Sequence, residues 1–152
     1  MKKTLYALAL VFALAACTGK NTDENTTETV VEATPATLFD RQWNLTELNG
    51  NAVVLDTSFN VIPHLKFTEA DSSVTGNAGC NGIGGGFSLG ENNGISFTKM
   101  RATLMACPNL EVEQQFLAVL ENIKKYRIEG GTLSLDNENN ESLAKLEGVS
   151  KP

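Results

Sequence analysis

Cys80 and Cys107 are the mid-chain residues with the most chemistry open to them. A cysteine becomes a nucleophile only as the thiolate, which needs a base or a positive field beside it. A catalytic thiol therefore ranks behind two inert states: a disulfide, or a pair of buried free thiols packing as small hydrophobes. His64 is the single histidine. With the two cysteines it would make three ligands, one short of a structural zinc site, and no Cys-x-x-Cys or His-x-x-x-His spacing supports metal. Asp136-x-Glu138-x-Asn140 alternates oxygen donors as a calcium loop does. It lacks the glycine and terminal glutamate of that loop and reads as a solvated turn. The carboxylates show no spacing that pairs a general acid with a base. Six of the thirteen glycines fall between Gly76 and Gly86. This run is neither a Walker loop nor a complete Gly-x-Gly-x-x-Gly and does not open a helix, so nucleotide binding is not expected. The expectation is no enzyme, no cofactor and no metal.

The third cysteine, Cys17, stands in another context. Met1-Lys2-Lys3 is a short positive start, Leu5 to Ala13 is apolar, and Leu14-Ala15-Ala16-Cys17 follows. That order is a secretory signal. The apolar run is well short of the roughly 20 residues a spanning helix needs. The tetrapeptide resembles a bacterial lipobox, which implies that residues 1–16 are removed and that Cys17 carries the lipid. Each buried acyl CH₂ contributes about 0.8 kcal/mol, so two or more chains hold firmly. Residues 17–37 then read as the lipidated cysteine and a flexible tether, rich in Thr, Asn and Glu. Such a segment buries too little to offset its ordering entropy, and twenty flexible residues reach roughly 25 Å. The membrane partner is thus reached through the lipid, in the cell envelope. Thr18, rather than Asp, after the cysteine points to the outer membrane where enteric sorting applies.

The sequence carries 12 basic and 18 acidic residues, a net charge of −6. Loss of residues 1–16 removes two lysines and no acid, which leaves −8. A chain this acidic makes a poor nucleic-acid binder and a poor electrostatic ligand for anionic lipid. What remains is one domain, residues 38–148, large enough for a single core.

The elements that must position Cys80 and Cys107 are mostly short strands. Gln42 to Leu48 alternates, with Trp43, Leu45 and Glu47 on one face and Leu48 on the other. Asn49-Gly50 is a hairpin turn, with Ala52 to Leu55 returning and Asp56 to Asn60 as a loop. Pro63 to Phe67 is a strand with Leu65 and Phe67 inward. Glu69 to Ser72 is a turn, and Ser73 to Asn77 leads into the glycine run, which reads as a sharply bent, close-packed corner because glycine permits positive φ and close approach. Phe87 and Leu89 resume the alternation, Gly90 to Gly94 turns, and Ile95 to Phe97 is a strand. Val112, Phe116, Val119, Leu120 and Ile123 recur on one face of a helix over Leu110 to Ile123. Asn109 is its candidate cap, and Glu111 and Glu113 sit near its positive dipole end. Tyr126 to Ile128, Thr132 to Leu135 and Ser142 to Glu147 complete the set, the last with Leu143 and Leu146. Short strands at regular spacing make an antiparallel sheet that curls or closes.

Trp43-x-Leu45, Leu48-Asn49-Gly50, Gly76-x-x-Gly79-Cys80-Asn81, Thr103-x-Met105-Ala106-Cys107, Glu113-x-x-Phe116-x-x-x-Leu120 and Tyr126-x-Ile128-x-Gly130-x-x-Leu133-x-Leu135 occur in that order. Together they resemble the META domain, the family of the bacterial heat-shock protein HslJ. The resemblance covers Ala36 to Leu146. It implies a mostly β fold of the α+β kind, a small antiparallel β-barrel or strongly curved sheet with one covering helix. It also implies export, an association with stress tolerance, and no established enzymatic activity. The motif residues Gly76, Gly79, Asn81 and Met105 take structural roles in that reading. In an exported domain the even pair Cys80 and Cys107 is expected as a disulfide. Two departures stand out: Phe87 replaces the family's usual tyrosine after extra glycine, and Leu104 stands where relatives carry arginine.

The expected function is that of a monomeric, non-enzymatic envelope lipoprotein with a stress-tolerance or partner-binding role, its partner an envelope protein. The alternatives are a carrier of small hydrophobic ligands, as in lipocalin-type barrels, or an inhibitor of an exported hydrolase acting through a rigid turn such as Glu91 to Asn93.

Overall fold

A computed structural model describes residues 37–39, 41–55, 61–108 and 110–150. The signal, Cys17, nearly all of the tether, the 56–60 loop and the Asn109 cap lie outside the described residues.

The strands are β1 (Arg41–Leu48), β2 (Asn51–Ala52), β3 (His64–Thr68), β4 (Ser73–Asn77), β5 (Gly82–Gly90), β6 (Gly94–Ala102), β7 (Lys125–Glu129), β8 (Thr132–Asp136) and β9 (Ser142–Ser150), with α1 (Glu111–Asn122) between β6 and β7. All neighbours are antiparallel, in the order β2-β1-β3-β4-β5-β6-β7-β8-β9. β1 also pairs with β9 along its length, from Arg41↔Ser150 to Leu48↔Ala144, and this closes the sheet into a ring. β2 is a short spur on the edge of β1 that β3 leaves uncovered past Asn44. The fold is the mostly β barrel-like sheet with one helix that the sequence implied.

The pairing around the ring is shortest between β6 and β7, which share one register pair, Gly94↔Lys125. Ile95 N donates to Lys124 O at 2.9 Å and Tyr126 N to Asn93 O at 3.0 Å. The two strands start side by side and run apart. Past Ile95, antiparallel register would require residues that belong to the end of α1, and the helix lies against β6, β1 and β9.

Side chains fill the interior. Trp43, Leu65, Val74, Phe116, Leu120, Ile123, Leu133, Leu135 and Leu146 are fully buried. Trp43 Nε1 donates to Leu38 O at 2.8 Å, so its one polar atom is satisfied. Phe67 meets Phe87 edge-on, with ring centroids 5.3 Å apart. Phe116 enters this core from the helix.

The structure corrects three expectations. Leu48 points inward with Trp43 and Leu45, because a bulge between Leu45 and Glu47 inserts a residue and flips the alternation. The glycine run is not one bent corner. Gly82, Gly84, Gly85 and Gly86 are extended residues of β5, and only Ala78–Asn81 turns the chain. Closeness does apply on two strands: a Cβ on Gly76 would overlap His64 O, and one on Gly85 would overlap Met100 Sδ and Thr98 O. Strands that curl this tightly admit no side chain at those points. Asp136 is not solvated: it is 1% exposed and accepts from Arg127 Nε at 2.8 Å.

Candidate functional site

The turn from β4 to β5 is built first by local chemistry. Asn77 Oδ1 accepts from Gly79 N at 2.7 Å, and Ala78 N donates to Asn81 O at 2.9 Å. Gly79 has φ 122°, a conformation L side chains rarely adopt. This turn delivers Cys80 and Asn81 to the interior, Asn81 being 3% exposed.

Asn81 is the hub of a polar knot. Its backbone N–H donates to Glu113 Oε2 at 2.7 Å and its Nδ2 to Glu113 Oε1 at 2.8 Å. Its Oδ1 accepts from Met105 N at 2.7 Å and from Thr103 Oγ1 at 2.8 Å. Thr103 N in turn donates to Gly82 O at 3.0 Å. Glu113, in the first turn of α1 and 7% exposed, thus has both carboxylate oxygens satisfied. Charge-assisted bonds of this kind are about twice as strong as neutral ones, and the helix N-terminus also favours an anion there. Cys80 is joined to Cys107 by a disulfide, with Cα atoms 6.2 Å apart. The knot and the bridge fasten the β4–β5 turn, the segment after β6 and the start of α1 at one place.

The structure therefore gathers Gly79, Cys80, Asn81, Met105 and Cys107. Gly76 stands apart, within β4, where it lets β3 pass close. Met105 contributes its backbone N–H to the knot, while the residue is 52% exposed. Asn81 does not cap its own turn, since its side chain bonds residues 22 to 32 positions away. Thr103 and Glu113 were missed as members. Glu113 had a signal: it lies three residues before Phe116 and seven before Leu120, on the face that must be buried. Among the described residues no three His, Cys, Asp or Glu side chains are placed to hold a metal. His64 Nδ1 faces Ile62 O at 2.8 Å, which makes it the protonated nitrogen.

What the knot holds up is the segment Thr103–Cys107. Its tip is Leu104, 99% exposed. Beside it a shallow groove of about 590 Å³ is floored by Gly82–Gly86 and edged by Lys99 and Arg101. Lys99 adopts φ 51° at a bulge where β6 has one residue more than β5. Two groups elsewhere titrate away from their ordinary values. Hydrogen bonding to Asp136 holds Arg127 above its ordinary value, and hydrogen bonding to Ser73 holds Asp71 below its own.

The META domain family model matches residues 36–149. The chain belongs to the META domain family. An NMR structure of a protein from Burkholderia xenovorans superposes on this META domain with a TM-score of 0.60 at 21% identity, covering 75% of this chain and 85% of that one. The crystal structure of a DUF4847 family protein from Bacteroides vulgatus ATCC 8482 gives 0.53 at 16%, covering 76% and 96%. At these identities the likeness is one of fold. No curated protein matches the sequence. Within the META domain, the knot accounts for the Gly-Cys-Asn and Thr-x-Met-Ala-Cys motifs by packing rather than by reactivity, because the bridge occupies both thiols.

Proposed function

We propose that this chain is a non-enzymatic envelope lipoprotein, anchored through acylated Cys17, whose META domain binds a partner protein through the Thr103–Cys107 loop. The observation that carries the reading is Leu104. A large apolar side chain is held wholly in solvent by a buried knot and a disulfide, which fix the loop around it. Rigid presentation of an apolar anchor lowers the ordering cost of binding. The filled interior weighs against a carrier of hydrophobic ligands, since Trp43, Phe116 and the inward leucines occupy the barrel. The Glu91–Asn93 turn, offered as an inhibitor's contact, is polar and exposed and supplies no such anchor.

The Leu14-Ala15-Ala16-Cys17 box supports the anchor, and outer-membrane placement and a stress-tolerance role follow from that box and from family association. The acidic charge weighs against nucleic acid. The domain is proposed to act as a monomer.

The test is capture from envelope extract by the purified chain beside its Leu104→Glu variant. The residue is exposed, so the variant folds normally. A protein retained by the wild type and lost by the variant is expected, and equal capture overturns the reading. Intact mass of the membrane-extracted chain checks the anchor separately: an unmodified N-terminal peptide would refute it.

A further inference from the structure

A second recess lies on the barrel and shares no residue with the knot or the loop. One wall is the side of α1 that carries exposed Gln115, Ala118 and Asn122 above buried Val119, spaced i, i+3, i+4, i+7 so that two carboxamides bracket a small apolar centre. The opposite wall is the β8–β9 turn with Asn137, Glu138 and Asn139, and Leu143 and Asn49 complete the lining. The cleft is open and shallow and measures about 550 Å³.

The walls are fixed. Asn137 Oδ1 accepts from Asn139 N at 2.9 Å and from Glu141 N at 3.0 Å, and its Nδ2 donates to Glu141 Oε2 at 2.7 Å, so its amide is committed to holding the turn. Asn49 N donates to Leu143 O at 2.9 Å and ties the β1–β2 turn to β9. The other amides keep unspent capacity among the described residues. Asn122 Nδ2 bonds Ala118 O and Gln115 Nε2 bonds Glu111 Oε1, while the two amide oxygens have no hydrogen-bond partner among the described residues. The side chains of Asn49 and Asn139 and the Lys124 ammonium have no hydrogen-bond partner among the described residues.

We propose that this cleft binds a short neutral oligosaccharide. Hydroxyl groups donate and accept at once, and a lining of carboxamides answers both needs without stripping water from a full charge. The single cation, Lys124, is balanced by the single anion, Glu138, so the site has no preference for a charged ligand. Ala118, buried Val119 and half-buried Leu143 offer an apolar floor to the C–H face of a sugar ring. The rigid turn keeps the rim in place before binding.

The test is titration of the isotope-labelled full chain with maltotriose, cellotriose and chitotriose, and with trigalacturonate as the anionic counterpart, followed by backbone amide shifts. The expected result is saturable shifts at Ala118, Val119, Asn122 and Leu143 with at least one neutral trisaccharide, at a Kd of about 1 mM or tighter. Gln115→Ala with Asn139→Ala should weaken that binding at least about tenfold, a change of roughly 1.4 kcal/mol. Ala118→Trp, at an exposed position, should close the cleft and abolish it with an unchanged melting midpoint. Leu104→Glu should leave it intact, which separates this site from the loop. The proposal is overturned by absence of saturable shifts with every neutral probe, by tighter binding of trigalacturonate, by shifts centred elsewhere, or by binding that survives both cleft variants.

Discussion

Two asparagine-bearing turns in this barrel work in opposite ways. Asn49-Gly50 joins β1 to β2 with φ 48° and 79°, left-handed values at both central positions that match the primed turn favoured between twisted strands. Its bend is set by its own residues, Asn49 N reaches β9 through a bond to Leu143 O at 2.9 Å, and Asn49 is exposed. The Ala78–Asn81 turn begins differently, with the Asn77 side chain accepting from Gly79 N two residues on. It ends with Asn81 buried and bonded to Thr103, Met105 and Glu113. One turn is bent by its own φ values and leans on β9 through one backbone bond, whereas the other is completed by two segments that arrive from elsewhere. The lesson is that Asn-Gly chemistry sets where the chain turns, while the surroundings decide whether the asparagine becomes structural cement.

The difference can be broken most severely by loosening the helix that brings Glu113 to Asn81. Phe116→Ala should cost about 4 kcal/mol by denaturant titration, since Phe116 is fully buried. Amide exchange at Asn81 should rise with it, whereas exchange across the Asn49-Gly50 turn follows only the global change. Replacing Cys80 and Cys107 together by Ala should cost about 3.5 kcal/mol for a loop with a separation of 27 residues. Peptide mapping of the unfolded, unreduced chain should recover the two cysteines linked. Glu113→Ala strands the buried N–H of Asn81 and leaves its Nδ2 only the 3.5 Å bond to Met105 O, and should cost roughly 2 to 3 kcal/mol, with Glu113→Gln recovering part of the loss. At the other turn, Asn49→Ala should cost less than about 1 kcal/mol, and Gly50→Ala about 1 kcal/mol for placing a Cβ at positive φ. If Asn49→Ala proved as damaging as Glu113→Ala, the contrast between the turns would be lost.

The smallest effect belongs to a third local turn. Asp71 Oδ1 accepts from Ser73 N at 3.1 Å, and Ser73 hydrogen bonds hold its carboxyl below the ordinary 3.8. A depressed carboxylate stabilises the fold above its unfolded pKa, and the contribution is lost as pH falls through the lowered folded value. Asp71→Asn should therefore flatten slightly the acid limb of a stability–pH profile and leave neutral stability nearly unchanged.

Much of the fold was legible in the chain. The Asn49-Gly50 turn, the alternation in β3 with Leu65 and Phe67 inward, and the helical stripe through Phe116 and Leu120 are where the residue pattern places them. Closure of the ring was only half legible. Curling follows from many short strands, but the pairing of β1 with β9 joins segments about 100 residues apart, and no local pattern names a partner at that distance. The inward turn of Leu48 was hidden because a bulge leaves no mark on residue type. The glycines of β5 misled because glycine signals freedom equally in a bend and in an extended strand crowded by Met100 and Thr98. Of the site, the cysteines and Asn81 could be named, but Glu113 passed for a dipole charge and Asp136 for a solvated acid.

By itself the sequence determined the places where the chain turns, the face the helix buries and the family the domain belongs to, because turn chemistry and periodicity act between residues a few positions apart. Only the tertiary structure decided which polar groups go inside and which amides stay free. A buried carboxylate is tolerable where donors meet it, and those that meet Glu113 lie 32 residues earlier, on a turn the closed sheet carries to the helix.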